Sequence, residues 1–114
     1  MITLYGLKNC DSCQKAKKWL NFNDVDYTYH DIRQDGLNEA TLMLWSHLID
    51  LEICLNRRST TWRNLPDTDK NKINSQNVIN YFLKYPTLIK RPILKNNNSI
   101  IIGFDSKVYV RELK

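Results

Sequence analysis

The chain has 114 residues, 42% of them hydrophobic and 11% aromatic, enough to bury one core and too few for two independent ones. Its 25% charged residues are ordinary for a folded protein and exclude a generally disordered chain. The formal net charge of +5, from 17 basic and 12 acidic side chains, suits an anionic small molecule or an acidic protein surface. No basic stripe with interleaved aromatics accompanies it, so direct nucleic-acid binding is not expected.

No run approaches the roughly 18 apolar residues of a membrane span, and residues 1–5 lack the basic-then-apolar order of a secretion signal. A soluble, cytoplasmic protein with no membrane partner is expected. Thiols stay reduced in that compartment, so paired cysteines there point to redox, catalytic or metal chemistry rather than to a structural staple.

Residues 2–6, Ile-Thr-Leu-Tyr-Gly, read as a short buried strand, and a helical pattern follows from about residue 11 to residue 23. Lys8-Asn9-Cys10-Asp11-Ser12-Cys13 joins them. A Cys-x-x-Cys at a strand-to-helix junction is the local signature of a thioredoxin-like redox site. Free backbone N–H groups at a helix start favour negative charge, so a cysteine placed there ionises more easily. Cys10, just before the helix, is the expected nucleophile; Cys13, inside the first turn, is better shielded and can resolve a mixed disulfide or act as a switch. Lys8 favours a thiolate by its charge and Asp11 opposes it. Zinc is the competing use of such a pair, but it needs four ligands. There is no second Cys-x-x-Cys, and His30 and His47 are not at paired spacing; no metal is expected. Cys54, between Ile53 and Leu55, reads as a buried core thiol.

Residues 26–32 are rich in aromatic and β-branched types and read as a second strand, completing a βαβ unit with parallel strands. Gly36 breaks the pattern. Asn38 then caps a helix carrying Thr41, Leu42, Trp45, Leu48 and Ile49 on one side, with Leu37 as its hydrophobic staple. Residues 56–63, Asn-Arg-Arg-Ser-Thr-Thr-Trp-Arg, form a basic, irregular loop with room for a short turn through Leu65, and its arginines can hold carboxylates or oxyanions. Ser75 is the expected cap of a helix over residues 76–84, ended by Pro86. Residues 89–94 lead into a strand, residues 96–98 form a turn, and residues 99–104 are the second arm of an antiparallel hairpin. Asp105 or Ser106 caps a last helix with Val108, Tyr109 and Leu113. The order is βαβ, helices, then ββα. The expectation is an α/β chain with a mixed four-stranded sheet, one domain over residues 1–114, and a helical insertion over about residues 37–84. Arg91-Pro92 opens the third strand, where a proline marks an edge, a bulge or a cis bond. In a thioredoxin-like fold a cis proline faces the cysteine site at this place.

Three separated segments, residues 4–16, 56–63 and 90–94, together resemble the ArsC/Spx family, most closely its YffB-type branch of small ArsC-like reductases. The resemblance implies a thioredoxin-like fold with a helical insertion. It implies that Cys10 is the reactive cysteine, that Arg91 precedes a cis Pro92 and helps hold an anion, and that Arg58 is the loop arginine of the YffB-type and Spx branches. Asn56 and Gly103 stand where two of the three oxyanion-binding arginines of arsenate reductases fall. The function implied is a cytoplasmic thiol–disulfide reductase with glutathione as co-substrate and no bound cofactor, acting on a protein or small-molecule disulfide. The alternative is a Spx-like redox-switched regulator that binds RNA polymerase; an arsenate reductase is a third, weaker alternative.

Overall fold

The computed structural model describes residues 1–114. Four strands form one mixed sheet: β1 (Ile2–Gly6), β2 (Thr28–Asp31), β3 (Ile93–Asn96) and β4 (Ser99–Ile102), in the order β2-β1-β3-β4. β1 runs parallel to β2 and antiparallel to β3, and β3 and β4 form the expected hairpin. Its turn places Asn97 at φ 53°, a left-handed position that asparagine tolerates better than most residues.

The chain divides into two compact units, residues 1–35 with 91–114, and residues 36–90. The first holds the sheet, α1 (Asp11–Phe22) and, at the C-terminus, a helix over Ser106–Leu113. Leu4, Ala16, Leu20, Leu94 and Tyr109 form its buried centre, with Trp19, Tyr29, Ile101 and Phe104 packed against it. Tyr109 meets Trp19 and Phe104 edge to face, at 5.4 and 4.9 Å between ring centroids. The C-terminal helix starts as its sequence requires: the Asp105 carboxylate accepts the Lys107 N–H at 2.9 Å.

The second unit comprises α2 (Glu39–Ser46), a 3₁₀ turn (Leu51–Cys54), α3 (Thr60–Arg63), α4 (Asp67–Lys72), α5 (Val78–Lys84) and a second 3₁₀ turn (Pro86–Leu88). The C-terminal helix Ser106–Leu113 is therefore α6. Leu42, Trp45, Cys54, Val78, Phe82 and Leu88 are fully buried. Asn38 caps α2 as expected, accepting the Thr41 N–H at 2.8 Å. The helix stops at Ser46, so Leu48 and Ile49 lie beyond it.

Two local expectations are corrected here, the Ser75 cap and the absence of a helix before it. Ser75 does not cap α5, which begins at Val78 rather than residue 76. Asn74 and Asn77 cross-link the preceding turn through their side-chain amides, while the Ser75 hydroxyl donates to Glu52 at 3.3 Å. The short turn that residues 56–65 leave room for is a helical turn over residues 60–63, held by the Ser59 hydroxyl, which accepts the Trp62 N–H at 3.0 Å. α4 is an element the sequence reading left out. Its signal is Pro66 before it, with Asp67 and Asp69 in its first turn and Lys70 and Lys72 in its last, the charge order that complements a helix dipole.

Candidate functional site

The carboxyl end of β1 gathers the site. β1 ends at Gly6, whose strand partner on β2 is Asp31. On its other side Tyr5 pairs with Ile93, so Pro92 stands at the same end of the sheet as the loop 7–10. The Arg91-Pro92 peptide bond is cis, as the sequence implies. Pro92 is buried, Arg91 is half-buried, and the Pro92 carbonyl accepts the Gly103 N–H at 2.8 Å.

Cys10 is the N-cap residue of α1, with extended backbone (φ −129°, ψ 117°) and no side-chain cap hydrogen bond. Its side chain is not spent on capping the helix, and the residue stands beside the N–H groups of the first turn. It is partly exposed, whereas Cys13 is fully buried. All three cysteines are free thiols. Burial, and next the Cys10 thiol beside it, push the Cys13 thiol up to about 11; the Leu7 backbone and the Tyr29 hydroxyl pull in the opposite direction. Cys54 lies in the second unit, fully buried as expected, and burial pushes its thiol up to about 12.

Two hydrogen bonds pin the loop between strand and helix. Tyr29 Oη donates to the Leu7 carbonyl at 2.7 Å, and Gln14 Nε2 donates to the Lys8 carbonyl at 2.8 Å. Beside the loop lies a cavity of about 280 Å³ lined by Leu7, Lys8, Asn9, Asp31, Arg33 and Gln34. The Asp31 carboxylate is occupied by its own turn, accepting the Arg33 and Gln34 N–H groups at 2.9 and 3.0 Å. Lys8 and Arg33 are exposed and contribute the cationic side chains of the wall.

Lys8, Cys10, Cys13, Arg91 and Pro92 therefore share one end of one sheet. Arg58 belongs to the second unit, exposed, its N–H donated to Asn56 Oδ1 at 3.0 Å. Arg57, in the same basic stretch, lies 3.9 Å from Glu52 and 5.5 Å from the Trp62 ring centroid. His30 packs its ring 4.9 Å from Tyr5. The sequence reading missed Gly6, Gln14, Tyr29, Asp31 and Arg33. A glycine closing a strand is a signal of close approach; a tyrosine in a strand is too ordinary to be one.

The arrangement can perform thiol–disulfide exchange: an accessible sulfur at a helix start, with a second, protected sulfur one turn below it. The ArsC family model matches residues 5–111. A protein of Haemophilus influenzae is 41% identical over 109 residues, covering 96% of each chain. The global transcriptional regulator Spx of Streptococcus mutans is 34% identical over 107 residues, covering 92% of this chain and 77% of that one. The solved structure of the YFFB protein superposes with a TM-score of 0.93 at 32% identity, covering both chains in full.

Proposed function

The chain belongs to the ArsC family, and from that membership we propose that it is a thiol–disulfide reductase that uses Cys10 as nucleophile and a glutathione-type thiol as co-substrate. The observation that carries this reading is the partly exposed Cys10 at the start of α1 with the buried Cys13 beneath it. The Cys10 thiolate attacks one sulfur of a disulfide and releases the other as a thiol. The mixed disulfide is then resolved by Cys13 or by a second thiol, which returns the substrate half as a thiol.

The neighbourhood of Cys10 suits a substrate bearing carboxylates. Lys8 and Arg33 on the cavity wall supply positive charge there, and charge-assisted contacts with carboxylates are the strong class of hydrogen bond. Arg91 and the backbone around Pro92 stand at the same end of the sheet. The role of Arg58 rests on the family resemblance alone and is tested by its own substitution, Arg58→Ala.

The test is mass spectrometry of the reduced protein after exposure to oxidised glutathione. The expected result is glutathione on Cys10, or a Cys10–Cys13 disulfide formed after it, with Cys54 unmodified. A protein whose Cys10 stays a free thiol under these conditions is not such a reductase. The similarity to Spx favours a second reading, a redox-switched regulator that binds RNA polymerase. A polymerase pull-down with the reduced and oxidised protein, run beside a thiol-reductase assay, separates the two. Arsenate reduction is disfavoured by Asn56 and Gly103. Each missing charge-assisted contact costs about 1.5–3 kcal/mol, roughly one to two powers of ten in oxyanion affinity. Arsenate turnover near zero is expected, and turnover equal to a three-arginine enzyme would refute that.

A further inference from the structure

The sulfur of Cys13 sits in a cradle built from three segments. A Cβ placed on Gly6 would lie 2.6 Å from Cys13 Sγ, 2.6 Å from Tyr29 Oη and 3.2 Å from Cys13 Cβ. Gly6 is buried, and the space its missing side chain leaves is filled by that sulfur and that hydroxyl. Tyr29 is fixed at both ends. Its hydroxyl donates to the Leu7 carbonyl at 2.7 Å, and Lys17 Nζ, one turn beyond Cys13 on α1, stands 4.3 Å from its ring centroid. A hydroxyl carries one proton to donate and lone pairs that accept. While Cys13 is a thiol, the Tyr29 proton belongs to the Leu7 carbonyl, and the oxygen is left to accept from the thiol.

We propose that Tyr29 is the positioning residue of the resolving step, holding the Cys13 sulfur in the Gly6 cradle and turning its hydroxyl proton from the Leu7 carbonyl to that sulfur as Cys13 attacks the mixed disulfide on Cys10. This rests on Cys10 being the nucleophile of a thiol–disulfide reductase. The step balances without a further oxidant or reductant. The Cys13 sulfur forms a bond to Cys10 Sγ, the bond from Cys10 Sγ to the substrate sulfur breaks, and the proton given up by Cys13 ends on the departing thiolate. Tyr29 is not the base. Burial, and the charge that Cys13 and Cys10 would carry, push its hydroxyl above the ordinary tyrosine value, so at neutral pH it keeps its proton and offers it as a hydrogen bond. The sulfur it serves has the opposite need: burial raises the Cys13 thiol, and a donor aimed at the thiolate offsets part of that penalty. The other titratable or charged groups acting on this pair are Cys10, Lys17, Asp31 and Tyr109.

The experiment mixes the fully reduced protein with one equivalent of the symmetrical aromatic disulfide of 5-thio-2-nitrobenzoate and follows the aromatic thiolate released, from pH 6 to pH 10. The first release reports loading of Cys10; the second reports closure by Cys13. Wild type is expected to show both, and Cys13→Ser only the first. Tyr29→Phe keeps the ring under Lys17 and removes the hydroxyl. Because the hydroxyl also pins the loop before Cys10, closure is read relative to the variant's own loading: that ratio should fall about ten- to a hundredfold, with the closure profile displaced upward by roughly one to two pH units, the loss expected for one hydrogen bond to a charged group. Closure of Tyr29→Phe at the wild-type ratio and pH overturns the role of Tyr29 and leaves Cys10 as the nucleophile. Absence of the first release in wild type overturns the reductase reading and this inference with it. Should Tyr29→Phe fail to fold, 3-fluorotyrosine at position 29 is the second variant. Its hydroxyl is a stronger donor, so closure should accelerate, and unchanged closure overturns the proposal.

Discussion

Cys10 and Cys13 are chemically the same group three residues apart, and the fold gives them opposite environments. Cys10 is partly exposed at the start of a helix, while Cys13 has no exposed surface. Nucleophilicity toward an alkylating agent requires both access and thiolate. Iodoacetamide at pH 7–8 is therefore expected to label Cys10 first. Cys13 should follow slowly, and Cys54 only when the protein unfolds, since burial pushes these two thiols up to about 11 and about 12. Peptide mapping over time reads the order directly. Labelling of Cys54 as fast as Cys10 would mean that Cys10 is not a privileged thiol. The same contrast explains Gly6: a residue with any side chain there would displace the Cys13 sulfur.

α1 carries both cysteines because its amphipathic pattern fixes which side faces the sheet. Its buried residues are Cys13, Ala16 and Leu20, spaced three, then four residues apart, so they form one stripe. Cys13 is thus the first member of a core stripe, which is why it is shielded, and Cys10 lies one turn earlier, where the stripe reaches the helix end. Leu20→Ala should cost about 2–5 kcal/mol by loss of transfer energy plus a cavity. Phe22→Ala, on the same helix but 88% exposed, should change stability by less than about 0.5 kcal/mol. Denaturant titration of both variants tests the assignment, and equal losses would contradict the packing. Hydrophobicity alone does not distinguish the two positions; the helical period does.

For the molecule as a whole, each unit keeps one buried thiol, Cys13 in the first and Cys54 in the second. Both are held protonated in the folded state above the ordinary thiol value of 9.0, Cys13 to about 11 and Cys54 to about 12. Between those values the folded chain binds more protons than the unfolded one, so stability falls as pH rises. Their contribution is fully present below pH 9 and is lost as pH climbs through about 11 and about 12. Tyr29 and Tyr109, also raised by burial, act in the same direction. The melting temperature of the reduced protein should hold from pH 7 to about 9 and then decline. Cys54→Ala should flatten the alkaline part of that decline, and an unchanged alkaline slope would show that Cys54 ionises equally well folded and unfolded.

Sequence alone determined what is set by interactions across a few residues. The Asn38 cap, a last cap at Asp105 or Ser106, and the turn at residues 96–98 depend on neighbours within one or two turns, and each was legible as residue type at a spacing. The Cys-x-x-Cys and Arg91-Pro92 were legible too, because their chemistry follows from the residues themselves. Where short-range polar groups competed for the same donors, as at Asn74, Ser75 and Asn77, residue type could not say which would win. Tertiary structure alone decided the surroundings of the sulfurs. Tyr29 and Leu7 are 22 residues apart in the chain yet share a hydrogen bond, and Pro92 reaches the site only through the register that pairs Tyr5 with Ile93. The physical reason is that a thiol's protonation depends on desolvation and on donors brought from remote segments, which exist only once the sheet has assembled.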